Sequence, residues 1–116
     1  FRADLAIRGE AIAAIGQGLP AGASEIDASG KLVLPGGVDA HCHIEQLSGG
    51  GLMNADTFET ATRSAAFGGT TSVISFAAQH RAKSLATTVS DYAALAKKGA
   101  IVDYAFHLMV ANPDEQ

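Results

Sequence analysis

Two histidines one residue apart, His41 and His43, are the side chains best placed to do chemistry in this chain. They end the run Leu32-Val33-Leu34-Pro35-Gly36-Gly37-Val38-Asp39-Ala40-His41-Cys42-His43. Successive side chains of a strand point to opposite faces, so Asp39, His41 and His43 are expected on one face and Ala40 and Cys42 on the other. Two imidazoles converging from one rigid segment suit a transition metal, whose nitrogen ligands must come within roughly 2.0–2.1 Å. Asp39 places an acceptor two residues before the first histidine, and metal-bound histidines commonly need such a partner. His41 and His43 are therefore the candidate metal ligands, and Asp39 is the residue expected to orient them from behind.

The elements that must position this pair are legible as short periodic segments. Pro35-Gly36-Gly37 offers a turn with unusual backbone angles into the strand. Upstream, Ala3–Arg8 and Ala11–Ile15 flank Gly9-Glu10 and predict a β-hairpin. Ser24–Ala28 and Lys31–Leu34 read as further short strands. Downstream, Ile44–Met53 is a glycine-rich loop with exposed apolar side chains, of which Leu47, Leu52 and Met53 are candidate substrate contacts.

Asp56 and Glu59, three apart, read as an acidic capping box opening a helix. Phe58, Ala61, Ala65 and Ala66 mark its apolar spacing, and Gly68-Gly69 ends it. Thr70–Phe76 is a β-branched strand, and Ala77-Ala78-Gln79-His80 closes it. Ser84 can cap a second helix, with Leu85, Val89, Tyr92 and Leu95 on one face and Lys97-Lys98 at its negative end. Ala100–Val110 is a third, largely apolar strand. Strand, helix, strand, helix, strand predicts a parallel α/β sheet with right-handed crossovers.

Other chemistry-bearing residues have plainer roles. Cys42, the only cysteine, faces away from the histidines and reads as a small buried hydrophobe. His80 is expected to be a loop histidine outside any ligand set, and His107 a packed strand residue with one hydrogen bond. In Gly16-Gln17-Gly18-Leu19-Pro20-Ala21-Gly22 the third glycine is out of register for a dinucleotide loop and Pro20 precedes no helical pattern, so the stretch reads as a plain loop.

Composition narrows the partners. The 116 residues are 47% hydrophobic and 17% charged, which suits a globular piece. The net charge of −4, with scattered basic residues, leaves no patch for nucleic acid. No apolar stretch approaches the ~20 residues of a membrane span, and a soluble, cytoplasmic protein is expected. The chain opens on Phe1, and its last residues, Ala111–Gln116, read as a loop leading into another helix, so the expectation is a fragment.

Pro35-Gly36-Gly37-Val38-Asp39-Ala40-His41-Cys42-His43 resembles the first-strand signature of the amidohydrolase superfamily. The stretch Ala55–Thr71, with its Gly68-Gly69-Thr70-Thr71, is similar to the cyclic-amide branch, the dihydropyrimidinases and hydantoinases. Ile44-Glu45-Gln46-Leu47 stands where many hydantoinase-like sequences carry Leu-Asp and Met-Pro, and Ser75 where an aspartate often ends the second strand. The resemblance implies an incomplete (β/α)8 TIM barrel: residues 35–116 would form its first three βα units, and residues 1–34 part of a small β-sandwich domain.

It further implies metal-dependent ring opening of a dihydropyrimidine or 5-substituted hydantoin. Two divalent metals, commonly zinc, would be held with a carboxylated lysine, further histidines and a catalytic aspartate from later strands. His41 and His43 would ligate the more buried metal, no catalytic residue is assigned within these residues, and the piece alone would be inactive. A small cyclic amide would be the partner, without nucleic acid or membrane, in a homo-oligomer such as a tetramer. Alternatives are a dihydroorotase or allantoinase-like enzyme, or a noncatalytic scaffold homologue of the dihydropyrimidinases.

Overall fold

The computed structural model describes residues 1–113, so Asp114, Glu115 and Gln116 of the expected terminal loop lie outside the described residues. The chain forms two compact units, Phe1–Leu34 and a second that begins at Pro35.

In the first unit β1 (Asp4–Arg8) and β2 (Ala11–Gly16) form the expected antiparallel hairpin. Gly9 turns the chain at φ +61°, a left-handed angle that glycine adopts without a Cβ penalty. Asp4 Oδ2 ties the exit of β2 back by accepting from the Gly18 and Leu19 N–H groups at 2.8 and 3.2 Å. Ser24–Ala28 and Lys31–Leu34, expected as strands, are not strands here. Ile26, Leu32, Val33 and Leu34 are exposed. A β-prone sequence becomes a strand only against a partner that takes up its backbone groups.

The second unit is α/β. Strands β3 (Gly37–Cys42), β4 (Thr70–Ala78) and β5 (Asp103–Met109) form a parallel sheet in that order. Helices α1 (Phe58–Phe67) and α2 (Leu85–Gly99) make the two crossovers. Val73, Ser75, Ala77 and Gln79 are buried at alternate positions of β4 and its exit. The helix-facing core gathers Ile44, Phe58, Val73 and Ala96, with Cys42, Tyr92, Leu95 and Phe106 packed against it.

Caps define the helix ends, one of them differently from the expectation. The α1 capping box is built by Thr57 and Thr60, not by Asp56 and Glu59. Thr57 Oγ1 accepts from the Thr60 N–H at 3.3 Å, and Thr60 Oγ1 from the Thr57 N–H at 3.0 Å. Asp56 supports the box by accepting from Thr60 Oγ1 at 2.8 Å, while Glu59 pairs with Arg63 at the surface. The N-cap is Thr57 and its N3 partner Thr60, so Asp56 and Glu59 each stand one residue before the two capping positions. At the other end Gly69 takes the left-handed turn, φ +86°, that leads into β4.

Buried Thr62 joins α1 to the start of the third βα unit. Its hydroxyl donates to the Phe58 carbonyl at 2.5 Å and accepts from the Ile101 N–H at 3.1 Å. Gln79 clamps the far end: its side-chain oxygen accepts from the Ala111 and Asn112 N–H groups, and its amide donates to the Lys83 carbonyl.

Candidate functional site

His41 and His43 sit where β3 runs out at the carboxyl edge of the sheet, the edge that carries ligand sites in parallel α/β folds. Their ring centres are 5.5 Å apart. Two imidazoles bound to one tetrahedral ion through nitrogens at roughly 2.0–2.1 Å have centres about 5 Å apart, so the pair fits a shared metal. Both rings rest on Phe76 of β4, His41 at 4.5 Å and His43 stacked at 4.8 Å with 14° between planes.

Phe76 belongs to the face of β4 opposite its buried residues, and sequence reasoning passed it over as one more apolar strand residue. Its position two residues beyond Ile74 on that face was the available signal. His107, in register with Phe76 on β5, packs on the same ring at 5.0 Å and lies with Nε2 2.9 Å from the Ala40 carbonyl. A carbonyl oxygen only accepts, so His107 donates through Nε2. Among the described residues no third His, Cys, Asp or Glu joins the pair in a metal-holding group.

Asp39 acts on the main chain of the pair. Its Oδ1 accepts from the His41 N–H at 3.0 Å, bracing the peptide and not a ring. Asp39 pairs with Val73 and Cys42 with Ser75, so β3 carries an extra residue between them relative to β4. This bulge interrupts the strict alternation expected from Asp39 to the histidines. His41 and His43 nevertheless share a side. Burial, and then the Asp39 carboxylate, push the Cys42 thiol above its ordinary pKa, keeping it protonated.

The loop after the pair is held at its neck. Gln46 N–H donates to Asn54 Oδ1 at 2.9 Å, and the Asn54 N–H donates to the Gln46 carbonyl at 3.1 Å. Leu47 and Met53 form a bridge between the two arms, and Ser48 closes the turn by accepting from the Leu52 and Gly51 N–H groups. Glu45, at a left-handed φ of 48°, sends its carboxylate to the first N–H of α1, that of Phe58, at 2.9 Å. That oxygen stands at the positive end of the helix dipole.

His43, Gln46, Ser48, Leu52, Met53 and Asn54 line an open depression of about 370 Å³. Of the three loop candidates, Leu52 and Met53 line it with His43 and Leu47 does not, although Leu47 and Met53 both take part in the neck bridge. His80 stands exposed in the β4–α2 loop, where its carbonyl accepts from the Lys83 N–H. His43 Nδ1 lies 2.5 Å from Gln46 Oε1, a contact that sequence reasoning did not anticipate.

No helix is long and apolar enough to cross a membrane among the described residues. No family model matches the chain. It is 42% identical over 114 residues to the D-hydantoinase of Ralstonia pickettii, covering 98% of this chain and 25% of that protein. With the D-hydantoinase of Streptomyces coelicolor it shares 47% identity over 91 residues, 78% of this chain and 19% of the other. The crystal structure of dihydropyrimidinase from Brevibacillus agri matches with a TM-score of 0.90 and 42% identity, over 98% of this chain and 25% of that one. The chain thus spans about a quarter of the length of these relatives. It belongs to the D-hydantoinase and dihydropyrimidinase family of amidohydrolases.

Proposed function

We propose that the whole protein hydrolyses the ring amide of a dihydropyrimidine or a 5-substituted hydantoin, and that His41 and His43 hold a divalent metal, zinc, in its active site. The observation that carries this reading is the pair of imidazoles side by side at the carboxyl edge of a parallel sheet, in a chain that matches D-hydantoinases over nearly all its residues. The three parallel strands and two helices would be the start of a (β/α)8 barrel, residues 1–34 part of an adjoining β-sandwich, and the remaining ligands, including a carboxylated lysine and a second metal site, would come from later strands. A cytoplasmic homo-oligomer fits the same reading.

In this scheme His41 and His43 hold the metal, Asp39 keeps the His41 peptide in place, and Phe76 backs both rings. A metal there supplies a water whose pKa is lowered toward ~7 and a Lewis acid for the ring carbonyl. Hydrolysis breaks the ring C–N bond, placing hydroxyl on the carbonyl carbon and a proton on the departing nitrogen. Leu52 and Met53 give the depression beside His43 an apolar wall that suits a ring substituent.

Elemental analysis of the full-length protein, with a His41→Ala/His43→Ala variant beside it, tests this. About two zinc ions per subunit, reduced in the variant together with opening of dihydrouracil or hydantoin, is the expected result. Metal-free protein with an unchanged variant would overturn the reading in favour of a noncatalytic scaffold. Selective opening of dihydroorotate or allantoin would move the substrate to a dihydroorotase or allantoinase-like ring.

A further inference from the structure

The contact between Gln46 and His43 has no part in the scheme above, yet it decides which nitrogen His43 can offer. We propose that Gln46 is a positioning residue: its amide oxygen keeps neutral His43 protonated on Nδ1, so that Nε2 faces the metal as the unprotonated donor. This rests on the proposed metal-binding role of the histidine pair.

An amide oxygen only accepts, so the 2.5 Å contact requires the proton on Nδ1. The amide is set in that sense because its nitrogen faces Met109 Sδ at 3.9 Å, a weak acceptor across the sheet edge. The Gln46 main chain cannot swing away, since Asn54 bonds both its N–H and its carbonyl. Stacking on Phe76 fixes the plane of the imidazole and the Gln46 contact fixes which edge carries Nδ1, leaving the tautomer as the remaining choice. Neutral histidine in water favours the proton on Nε2, so a ligand that binds through Nε2 needs an acceptor at Nδ1 to reverse the preference. Gln46 supplies one from three residues along the same segment, independently of any later strand.

The test uses the full-length protein in two forms. In metal-free protein carrying 15N-labelled histidine, long-range 1H–15N spectra above the ordinary histidine titration range report the tautomer of each ring. His43, assigned by loss of its signals in His43→Ala, is expected as the Nδ1–H form in wild type and in Gln46→Glu, which keeps an acceptor. In Gln46→Leu it is expected to pass to the Nε2–H form. Zinc binding, measured by competition with a chelator, is expected to weaken about 10–100-fold in Gln46→Leu and to hold at wild-type strength or better in Gln46→Glu. Gln46→Ala carries the same expectation as the leucine variant should that one fail to fold.

An Nε2–H ring in wild type, undiminished zinc binding in Gln46→Leu, or a glutamate variant as weak as the leucine one would each overturn the proposal. Zinc bound by wild type, lost in His41→Ala/His43→Ala and untouched in Gln46→Leu refutes this inference alone. Protein that never binds zinc refutes the metal reading and this one with it.

Discussion

Replacing Gly36 with alanine is expected to destabilise the protein by about 2–3 kcal/mol, the upper part of the usual cost of overpacking. Gly36 precedes β3 and lies against Thr71, the residue of β4 left unpaired where Gly37 meets Thr70 and Val38 meets Ser72. A methyl group on Gly36 would stand 2.0 Å from Thr71 Oγ1, 2.3 Å from its Cγ2 and 2.6 Å from its Cβ. Turning the threonine side chain puts a hydrogen in place of one of the first two atoms but leaves the other position occupied. The third persists because the Cβ is fixed by the backbone, so the start of β3 must move away from β4. Gly37, whose N–H donates to the Gly69 carbonyl at 2.8 Å, is the first bond at risk.

Urea unfolding followed by circular dichroism should show the midpoint lowered by about 1–1.5 M for an m-value of about 2 kcal/mol/M. The diagnostic is a double-mutant cycle. Thr71→Gly removes all three contacts and Thr71→Ala only two, so rescue of Gly36→Ala should be larger with glycine than with alanine. Costs that simply add, within about 0.5 kcal/mol, would refute the steric account.

Two further outcomes follow from one buried and one half-buried group. Thr62→Val keeps the shape of the side chain but orphans the Ile101 N–H, and a stability loss of about 1–3 kcal/mol in the same unfolding assay is expected; a change below about 0.5 kcal/mol would refute that role. The Tyr92 phenol is raised above its ordinary pKa by burial and then by the Glu45 carboxylate. The folded state therefore favours the neutral phenol, a contribution intact below the unfolded tyrosine value of about 10 and lost as pH rises through the higher folded value. Unfolding midpoints across alkaline pH should fall less steeply in Tyr92→Phe than in wild type, and parallel curves would contradict this.

Much of the frame was legible because it depends on periodicity. The hairpin at Gly9, the three parallel strands, the Gly69 turn and the Ser84 cap all follow from local spacing and single-residue backbone preferences. What escaped depends on partners distant in sequence or on side chains without a period. Lys31–Leu34 has strand composition but no ladder. The α1 box went to Thr57 and Thr60 because the helix starts one residue later than the Asp56–Glu59 spacing implies, a boundary that local spacing alone does not fix. The shared face of His41 and His43 was readable from their spacing, but the bulge behind them was not, since it exists only relative to β4. Gln46 and Asn54 left no pattern, and only a polar residue three places after a candidate ligand hinted at the contact.

The paired bonds between Gln46 and Asn54 separate two things that evolution can then alter independently. Between them the chain rises through Ser48, turns at Gly49-Gly50-Gly51 and returns through Leu52, with its own closing bonds. Adding or removing residues at that tip changes the closure entropy only logarithmically and leaves the backbone beneath the imidazoles where it is. The tip is thus a natural graft point, where lengths and side chains from relatives can be exchanged to reshape the depression while the histidine pair keeps its geometry. The tip can change in length and side chains without moving the backbone that carries the histidine pair.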